Sequence, residues 1–168
     1  MTLEEKAYIA GFLDGDGSII AQIVRRKDYK LHFQIRTSVV FYQKASHQKH
    51  LLWLKEQLGC GYIRIRNDGM SEYTIVGFRE VNDVLKLLHP FLRLKSELAR
   101  DVLSIIEMHP EQRKLSIDRL LEICELVDKT AAFNYSKRRT ISVSTVKVEL
   151  GKVQFPVETG VQQSYEQR

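Results

Sequence analysis

Apolar and polar residues alternate along four segments of the chain, and this period of two predicts four half-buried β-strands. The predicted strands cover residues 18–26, 31–42, 62–66 and 72–76. A charged turn at 27–30 joins the first two strands, and Asn67, Asp68 and Gly69, which favour tight turns, join the last two. The four strands are therefore expected to form two antiparallel hairpins.

Segments rich in good helix formers, or with apolar residues three and four positions apart, predict helices around the hairpins. These helices lie at about residues 3–13, 44–58, 80–88, 96–108 and 116–129, with a short one at 144–150. Gly59 and Pro90 follow the second and third helices as stop signals. The order predicts an α+β fold with a four-stranded antiparallel sheet and extra C-terminal helices. Residues 1–150 form one domain in this interpretation, and residues 151–168 form a C-terminal tail.

Composition narrows the class of protein. The 168 residues are 43% hydrophobic, which suits a globular domain, and the formal net charge of +5 favours a polyanionic partner. Cys60 and Cys124 are the only cysteines, so a disulfide scaffold or a zinc site is not expected. We see no apolar run of membrane-spanning length and no targeting signal, and we expect no membrane partner.

The first helix carries small residues at a spacing of four. Ala7, Gly11 and Gly15 share one stripe of the helix, although glycine inside a helix costs about 1 kcal/mol relative to alanine. Small side chains let two helices approach closely. The stripe therefore predicts contact with another backbone.

Two acidic residues, Asp14 and Asp16, lie where this helix should end, just before Gly17. Acidic groups are unfavourable there by about 0.3–1 kcal/mol each, because the last carbonyls carry partial negative charge. A bound cation would reverse that sign, and carboxylate and carbonyl oxygens suit magnesium. A polar turn without a ligand is the alternative interpretation of these residues.

The segment Ile9–Gly17, with the sequence IAGFLDGDG, resembles the nine-residue LAGLIDADG motif of homing endonucleases. The order of elements after it also resembles the αββαββα core of that family, in the single-motif homodimeric type encoded by group I introns. The resemblance implies that the motif helices of two chains pack together through Ala7, Gly11 and Gly15. It also implies that Asp16 and the Gly15 carbonyl bind the catalytic metal, with Asp14 in a structural role.

The resemblance implies three further catalytic residues. Gln43 follows the second strand, where single-motif enzymes place a polar residue that positions the attacking water, and Lys95 matches a basic residue near the scissile phosphate. Lys95 could otherwise be a solvated residue before a helix. His47 occupies a place where relatives carry arginine, and histidine is not a permanent cation. His50 nearby is expected to be an ordinary surface residue.

The polar face of the sheet is expected to read DNA, because a two-stranded ribbon fits the major groove and Arg, Gln and Glu match base edges. A solvated face without a ligand is the alternative. The predicted DNA contacts are Gln22, Val24, Arg26, Tyr29, Gln34, Arg36, Ser38, Lys44, Arg64, Arg66, Glu72, Thr74, Ser136, Lys137 and Arg139.

The resemblance, together with these features, implies a site-specific double-strand DNA endonuclease that depends on magnesium and has no small-molecule substrate. One chain offers one Asp16, so cutting both strands requires a homodimer and a long, nearly palindromic site. The alternatives are an RNA-binding intron maturase and a non-catalytic DNA-binding regulator on the same fold. Family resemblance places the protein in an organelle, chloroplast or mitochondrion.

Overall fold

The computed structural model describes residues 1–109, 115–133 and 141–154. Within these residues the chain forms six α-helices and four β-strands. The helices are α1 Leu3–Asp16, α2 Gln48–Leu58, α3 Phe78–Leu88, α4 Ser96–Met108, α5 Ile117–Thr130 and α6 Val143–Gln154. The strands are β1 Gly17–Arg25, β2 Phe33–Lys44, β3 Tyr62–Ile65 and β4 Met70–Val76. In the described part of the chain, no helix has the length and apolar character needed to cross a membrane.

Local chemistry sets both ends of α1. Thr2 Oγ1 accepts the N–H of Glu5 at 3.2 Å, and the Glu5 carboxylate accepts the N–H of Thr2 at 2.7 Å, which makes a reciprocal cap. At the other end, Gly17 leaves the helix while its N–H donates to the Leu13 carbonyl. A Cβ at Gly17 would lie 2.5 Å from Leu13 Cδ1 and 2.9 Å from Leu13 O. The helix continues to Asp16, past the predicted end at residue 13.

Two other predicted boundaries are wrong for identifiable reasons. The second helix was expected from residue 44, but β2 continues to Lys44, which pairs with Met70, and a 3₁₀ turn precedes α2. The last helix was expected to end at residue 150, but α6 continues to Gln154, through Gly151 and into the predicted tail. One glycine weakens a helix without ending it.

The four strands form one antiparallel sheet in the order β1-β2-β4-β3, which confirms the predicted α+β fold and both hairpins. Gly17 pairs with Phe41 at one end of the β1–β2 ladder, and Arg25 pairs with Phe33 at the other. Strand β1 starts directly after α1, so the end of α1 meets the end of the sheet where β2 finishes.

The helices cover one face of the sheet and bury its alternate residues. Phe12 of α1 stacks on Phe41 of β2, with ring centroids 5.9 Å apart, and Phe41 stacks on Tyr73 of β4 at 5.8 Å. Phe41 and Tyr73 are fully buried. The same face also buries two hydroxyl groups, those of Thr37 and Ser71. The opposite face is left open to a partner.

Candidate active site and nucleic-acid interface

Asp14 joins the end of α1 to the segment that leads into α4. Its side chain is 8% exposed, and both carboxylate oxygens accept backbone N–H groups. Oδ2 accepts from Arg93 at 2.7 Å and from Leu94 at 3.1 Å, and Oδ1 accepts from Lys95 at 3.0 Å. Three donors from a distant part of the chain occupy this carboxylate, which matches the structural role expected for Asp14.

Lys95 is held against the end of α1 by its own side chain as well. Its ammonium group donates to the backbone carbonyl of Asp14. Burial lowers the pKa of Lys95, while the nearby carboxylates of Asp14 and Asp16 oppose that shift. Lys95 is therefore a half-buried cation beside two acidic residues, and the interpretation of Lys95 as a freely solvated residue is wrong.

Asp16 is the carboxylate at this end that remains open. It is exposed at the last position of α1, and the last turn of the helix contains no basic residue. No group of three or more His, Cys, Asp or Glu residues that could hold a metal occurs in the described ranges. The Asp16 carboxylate and the carbonyl oxygens of the last turn suit a hard divalent cation. Such a cation needs further ligands beyond those that the described residues supply.

Gln43 and His47 lie at the same end of the sheet. Gln43 is two residues beyond Phe41, the register partner of Gly17, so the β1–β2 ladder places it near the end of α1. Its Oε1 accepts the N–H of Lys44 at 2.9 Å. His47 is exposed at the end of the 3₁₀ turn that follows β2. The sheet and α1 thus bring Asp16, Lys95 and Gln43 toward one region.

The open face of the sheet presents the predicted polar residues in rows. Gln22 pairs with Arg36 in the β1–β2 ladder, and Val24 pairs with Gln34. Tyr29 is 40% exposed in the hairpin turn, with the Arg26 guanidinium 5.4 Å from its ring centroid. These side chains project from the tip of the first hairpin, where a partner can reach them.

Two of the predicted contact residues are less accessible than expected. Ser38 is 9% exposed and Thr74 is 7% exposed, although both lie on the open face. Their contact with DNA stays a prediction. Lys44 is exposed at the end of β2, as expected.

The second hairpin carries an ion-pair network that the sequence did not reveal. Arg64 contacts Glu72 at 2.7 Å across the β3–β4 ladder, and Arg66 contacts Asp68 at 2.6 Å and Glu72 at 3.9 Å. The Glu72 side chain is only 13% exposed. Glu72 therefore holds two arginines, and its contact with a cytosine stays a prediction.

An apolar band crosses the middle of the open face between these polar ends. The register flanks Ser38 with Ile20 and Val76, and it flanks Thr74 with Val40 and Tyr62. Tyr62 is 48% exposed. This band was missed from the sequence, although the period of two already assigns Ile20, Val40 and Tyr62 to that face. Ser136, Lys137 and Arg139, also predicted contacts, lie outside the described residues.

The small-residue stripe of α1 faces open space. Ala7, Gly11 and Gly15 are exposed, and a Cβ built on either glycine would meet no atom within 4 Å. Packing within the chain therefore does not require these glycines. Two large apolar side chains are also exposed, Tyr8 of α1 at 55% and Leu94, whose N–H binds Asp14, at 80%. The surface has the form expected of a helix that meets a partner.

His50 is not the ordinary surface residue that the sequence suggested. Its ring packs edge-on against Phe12 at 4.9 Å and Tyr8 at 5.7 Å, and it stacks on Trp53 at 5.5 Å. Tyr8 Oη and His50 Nε2 lie 3.5 Å apart. Burial among these rings lowers the pKa of His50. This aromatic cluster packs α2 against α1 beside the exposed stripe.

Comparison with known proteins adds independent information. Residues 9–109 match the family model described as LAGLIDADG endonuclease. The chain is 42% identical over 147 residues to the DNA endonuclease I-CvuI of Chlorella vulgaris, covering 88% of this chain and 90% of that protein. It is 41% identical over 143 residues to the DNA endonuclease I-CreI of Chlamydomonas reinhardtii, covering 85% and 86%.

Solved structures are similar in fold as well. The crystal structure of I-CvuI in complex with its target, in the presence of Ca, has a TM-score of 0.85 at 40% identity. It covers 90% of this chain and 95% of that chain. I-CvuI with the I-CreI target, in the presence of Mg and with the DNA not cleaved, also has a TM-score of 0.85, at 39% identity and 90% and 96% coverage.

Proposed function

Because the chain belongs to the LAGLIDADG endonuclease family, we propose that it is a site-specific double-strand DNA endonuclease that uses magnesium and works as a homodimer. The observation that carries the proposal is the contrast between two neighbouring acids. Asp14 is fully occupied by backbone donors, whereas Asp16 is exposed beside the half-buried cation Lys95. Location in a chloroplast or mitochondrion stays a prediction.

The metal would be held by the Asp16 carboxylate and the Gly15 carbonyl. When bound, magnesium supplies a Lewis acid and lowers the pKa of a coordinated water. Lys95 places a positive charge where negative charge grows on the phosphate, and this stabilises the transition state. Gln43 offers a carboxamide that can hold the attacking water in line. Asp14 fixes the Lys95 backbone relative to Asp16.

A homodimer follows from the number of acids. Each chain supplies one open Asp16, and cutting both strands of a duplex takes two such centres. The exposed stripe of Ala7, Gly11 and Gly15 permits close approach of the same helix from a second copy. A two-fold axis between the helices places the two Asp16 side chains near the axis. The DNA site should then be nearly palindromic.

The open face of the sheet supplies base readout. Arg36, Gln22 and Gln34 are exposed or half-buried donors that match guanine and adenine edges, at the first hairpin. Arg64 and Arg66 are pre-oriented by Glu72 at the second hairpin. The half-buried aliphatic side chains of this band, Ile20 and Val76, have no donor for a base edge, and such side chains favour the methyl group of thymine. We expect A·T pairs where this band meets the major groove.

The experiment that tests the proposal is cleavage of a randomised duplex DNA library in magnesium. The wild type is compared with Asp16→Asn and with Asp83→Asn, a matched change at an exposed aspartate of α3. Discrete double-strand cuts by the wild type and Asp83→Asn, but not by Asp16→Asn, support the endonuclease. Specific binding without cuts by any of the three supports the regulator. Binding of intron RNA with no activity on DNA supports the maturase.

A further inference from the structure

Two hydroxyl groups are buried on the helix-facing side of the sheet without a hydrogen-bond partner. Within the described part of the chain they are Thr37 Oγ1 and Ser71 Oγ, and the residues are 1% and 0% exposed. A buried hydroxyl that lacks a partner costs free energy, because water would have satisfied it in the unfolded chain. Native proteins contain few such groups, and each needs a reason.

Ser71 lies directly opposite Gln43. The two are register partners in the β2–β4 ladder. The neighbouring pair, Phe41 and Tyr73, stacks on the buried side of the sheet, and residues two positions further along return to that side. Directly opposite side chains have Cβ atoms about 4.5–5.5 Å apart. The Ser71 hydroxyl is therefore within reach of the Gln43 carboxamide after a rotation of the Gln43 side chain.

Gln43 has an unused donor that matches this hydroxyl. Its Oε1 accepts the N–H of Lys44, and among the described residues its Nε2 amino group has no acceptor. In this arrangement the carboxamide is tied to its own strand. Turning it toward the end of α1 breaks that local bond and frees Oε1 for a water molecule. The amino group then needs an acceptor to keep the new orientation.

We propose that Ser71 is a positioning residue for Gln43 in DNA cleavage. The Ser71 hydroxyl accepts a hydrogen bond from Gln43 Nε2 and holds the carboxamide with Oε1 directed at the attacking water. This inference rests on the proposed endonuclease function. It explains why the Ser71 hydroxyl has no partner in the free chain, because Gln43 reaches it only in the second rotamer that it takes in the complex with DNA.

Thr37 provides a matched control within the same strand as Gln43. Its hydroxyl is also buried and unpartnered on the same face of the sheet. Its register partner is Ala21, in the other half of β2 from Gln43. Thr37→Val keeps the shape of the side chain and removes only the hydroxyl. Comparing Thr37→Val with Ser71→Ala therefore separates the general effect of losing a buried hydroxyl from the effect of losing the one beside Gln43.

The test measures cleavage and stability of Ser71→Ala and Thr37→Val on the duplex isolated from the randomised library. Ser71→Ala should lower kcat by about tenfold, which is typical of residues that orient a catalytic group, with unchanged affinity for the duplex in calcium. Both variants should unfold at the same temperature as the wild type or higher, because each loses an unsatisfied group. Thr37→Val should keep the wild-type kcat. A purely structural Ser71 would instead lower the unfolding temperature.

A double-mutant cycle with Gln43→Ala completes the test. Adding Ser71→Ala to Gln43→Ala should cause no further loss of kcat, since the group it positions is gone. If the kcat losses of the two substitutions multiply, or if Ser71→Ala keeps the wild-type kcat, the inference is overturned while the proposed endonuclease function stands. If Ser71→Ala does not fold, Ser71→Cys replaces it and should show a smaller loss in the same direction. A wild type that cuts no duplex defeats the proposed function and the inference together.

Discussion

The neighbouring acids Asp14 and Asp16 should respond very differently to the same chemical change. Asp14→Asn replaces one of the two oxygens that accept three backbone N–H groups. Asp16→Asn removes a negative charge that repels the carbonyls at the C-terminal end of α1 but attracts the nearby ammonium group of Lys95. We expect Asp14→Asn to destabilise the protein, and Asp16→Asn to change its stability little while abolishing cleavage.

The expected loss of stability in Asp14→Asn follows from the hydrogen bonds that the Asp14 carboxylate accepts. Hydrogen bonds to a charged group contribute about 1.5–3 kcal/mol each, against about 0.5–1.5 kcal/mol for neutral ones. The asparagine oxygen can keep the two hydrogen bonds from Arg93 and Leu94 in weakened form. Its amino group then faces the N–H of Lys95, so the third hydrogen bond is lost. The sum is a loss of about 2–5 kcal/mol, which is a large part of a typical stability of about 5–15 kcal/mol. For Asp16→Asn, the gain of about 0.3–1 kcal/mol at the helix end is offset by the lost attraction to Lys95, so its stability should stay within about 1 kcal/mol of the wild type.

Urea unfolding at one fixed protein concentration measures both changes, since the stability of a dimer depends on concentration. Equal slopes of free energy against urea for all three proteins make the midpoints directly comparable. The same preparations are assayed for cleavage and for binding of the duplex in calcium. The reasoning fails if Asp14→Asn unfolds within about 0.5 kcal/mol of the wild type, or if Asp16→Asn is destabilised to the same extent as Asp14→Asn.

Other parts of the structure give four further predictions. Gly11→Leu should give monomers in sedimentation, because the side chain holds the two helices apart, whereas Gly11→Ala should stay dimeric. Gly17→Ala should lose about 1–3 kcal/mol in urea unfolding, because its Cβ would overlap Leu13; wild-type stability would contradict this packing. Burial lowers the pKa of His50, so the unfolded chain takes up a proton first as pH falls below about 6.5, and stability drops. His50→Phe should reduce that drop between pH 7 and pH 5; Glu4, which borders the same groove and whose pKa is lowered by hydrogen bonds from the backbone and from Thr2, is unchanged and leaves the same acid dependence in both proteins. Replacing thymine by uracil where the apolar band meets the DNA should weaken binding about fourfold per methyl group, from about 0.8 kcal/mol per buried carbon, and the same exchange outside the site should have no effect.

Helices and strands could be predicted where the local sequence pattern agrees with the contacts made in the folded protein. The period of two located all four strands, and α4 was predicted with its observed bounds. The start of α2 was wrong because pairing of Lys44 with Met70 extends β2, and such pairing depends on a strand far along the chain. The end of α1 was placed too early, at residue 13, because Asp14, Gly15 and Asp16 are poor helix formers, whereas the helix continues until Gly17 leaves it. Local propensity does not contain the strand pairing.

Some residues of the candidate site could likewise be predicted from the sequence, and others could not. Asp16 was identified through the motif and Lys95 through its match to a family position, and their proximity is visible in the structure. The partner of Arg64 was not predictable, because alternation gives the face of a residue but not the register that sets Glu72 opposite it. The burial of Ser38 and Thr74 depends on neighbouring strands in the same way. His50 was misjudged because its aromatic neighbours come from two helices.

The shared carboxylate in the second hairpin bears on how new target specificity can evolve or be engineered. Glu72 is largely buried and is paired with Arg64 at 2.7 Å but with Arg66 only at 3.9 Å, so removing Arg64 leaves this carboxylate with a distant partner alone. Single substitutions of Arg64 should therefore weaken binding whatever base they are chosen to read. Libraries that vary Arg64 and Glu72 together avoid this cost.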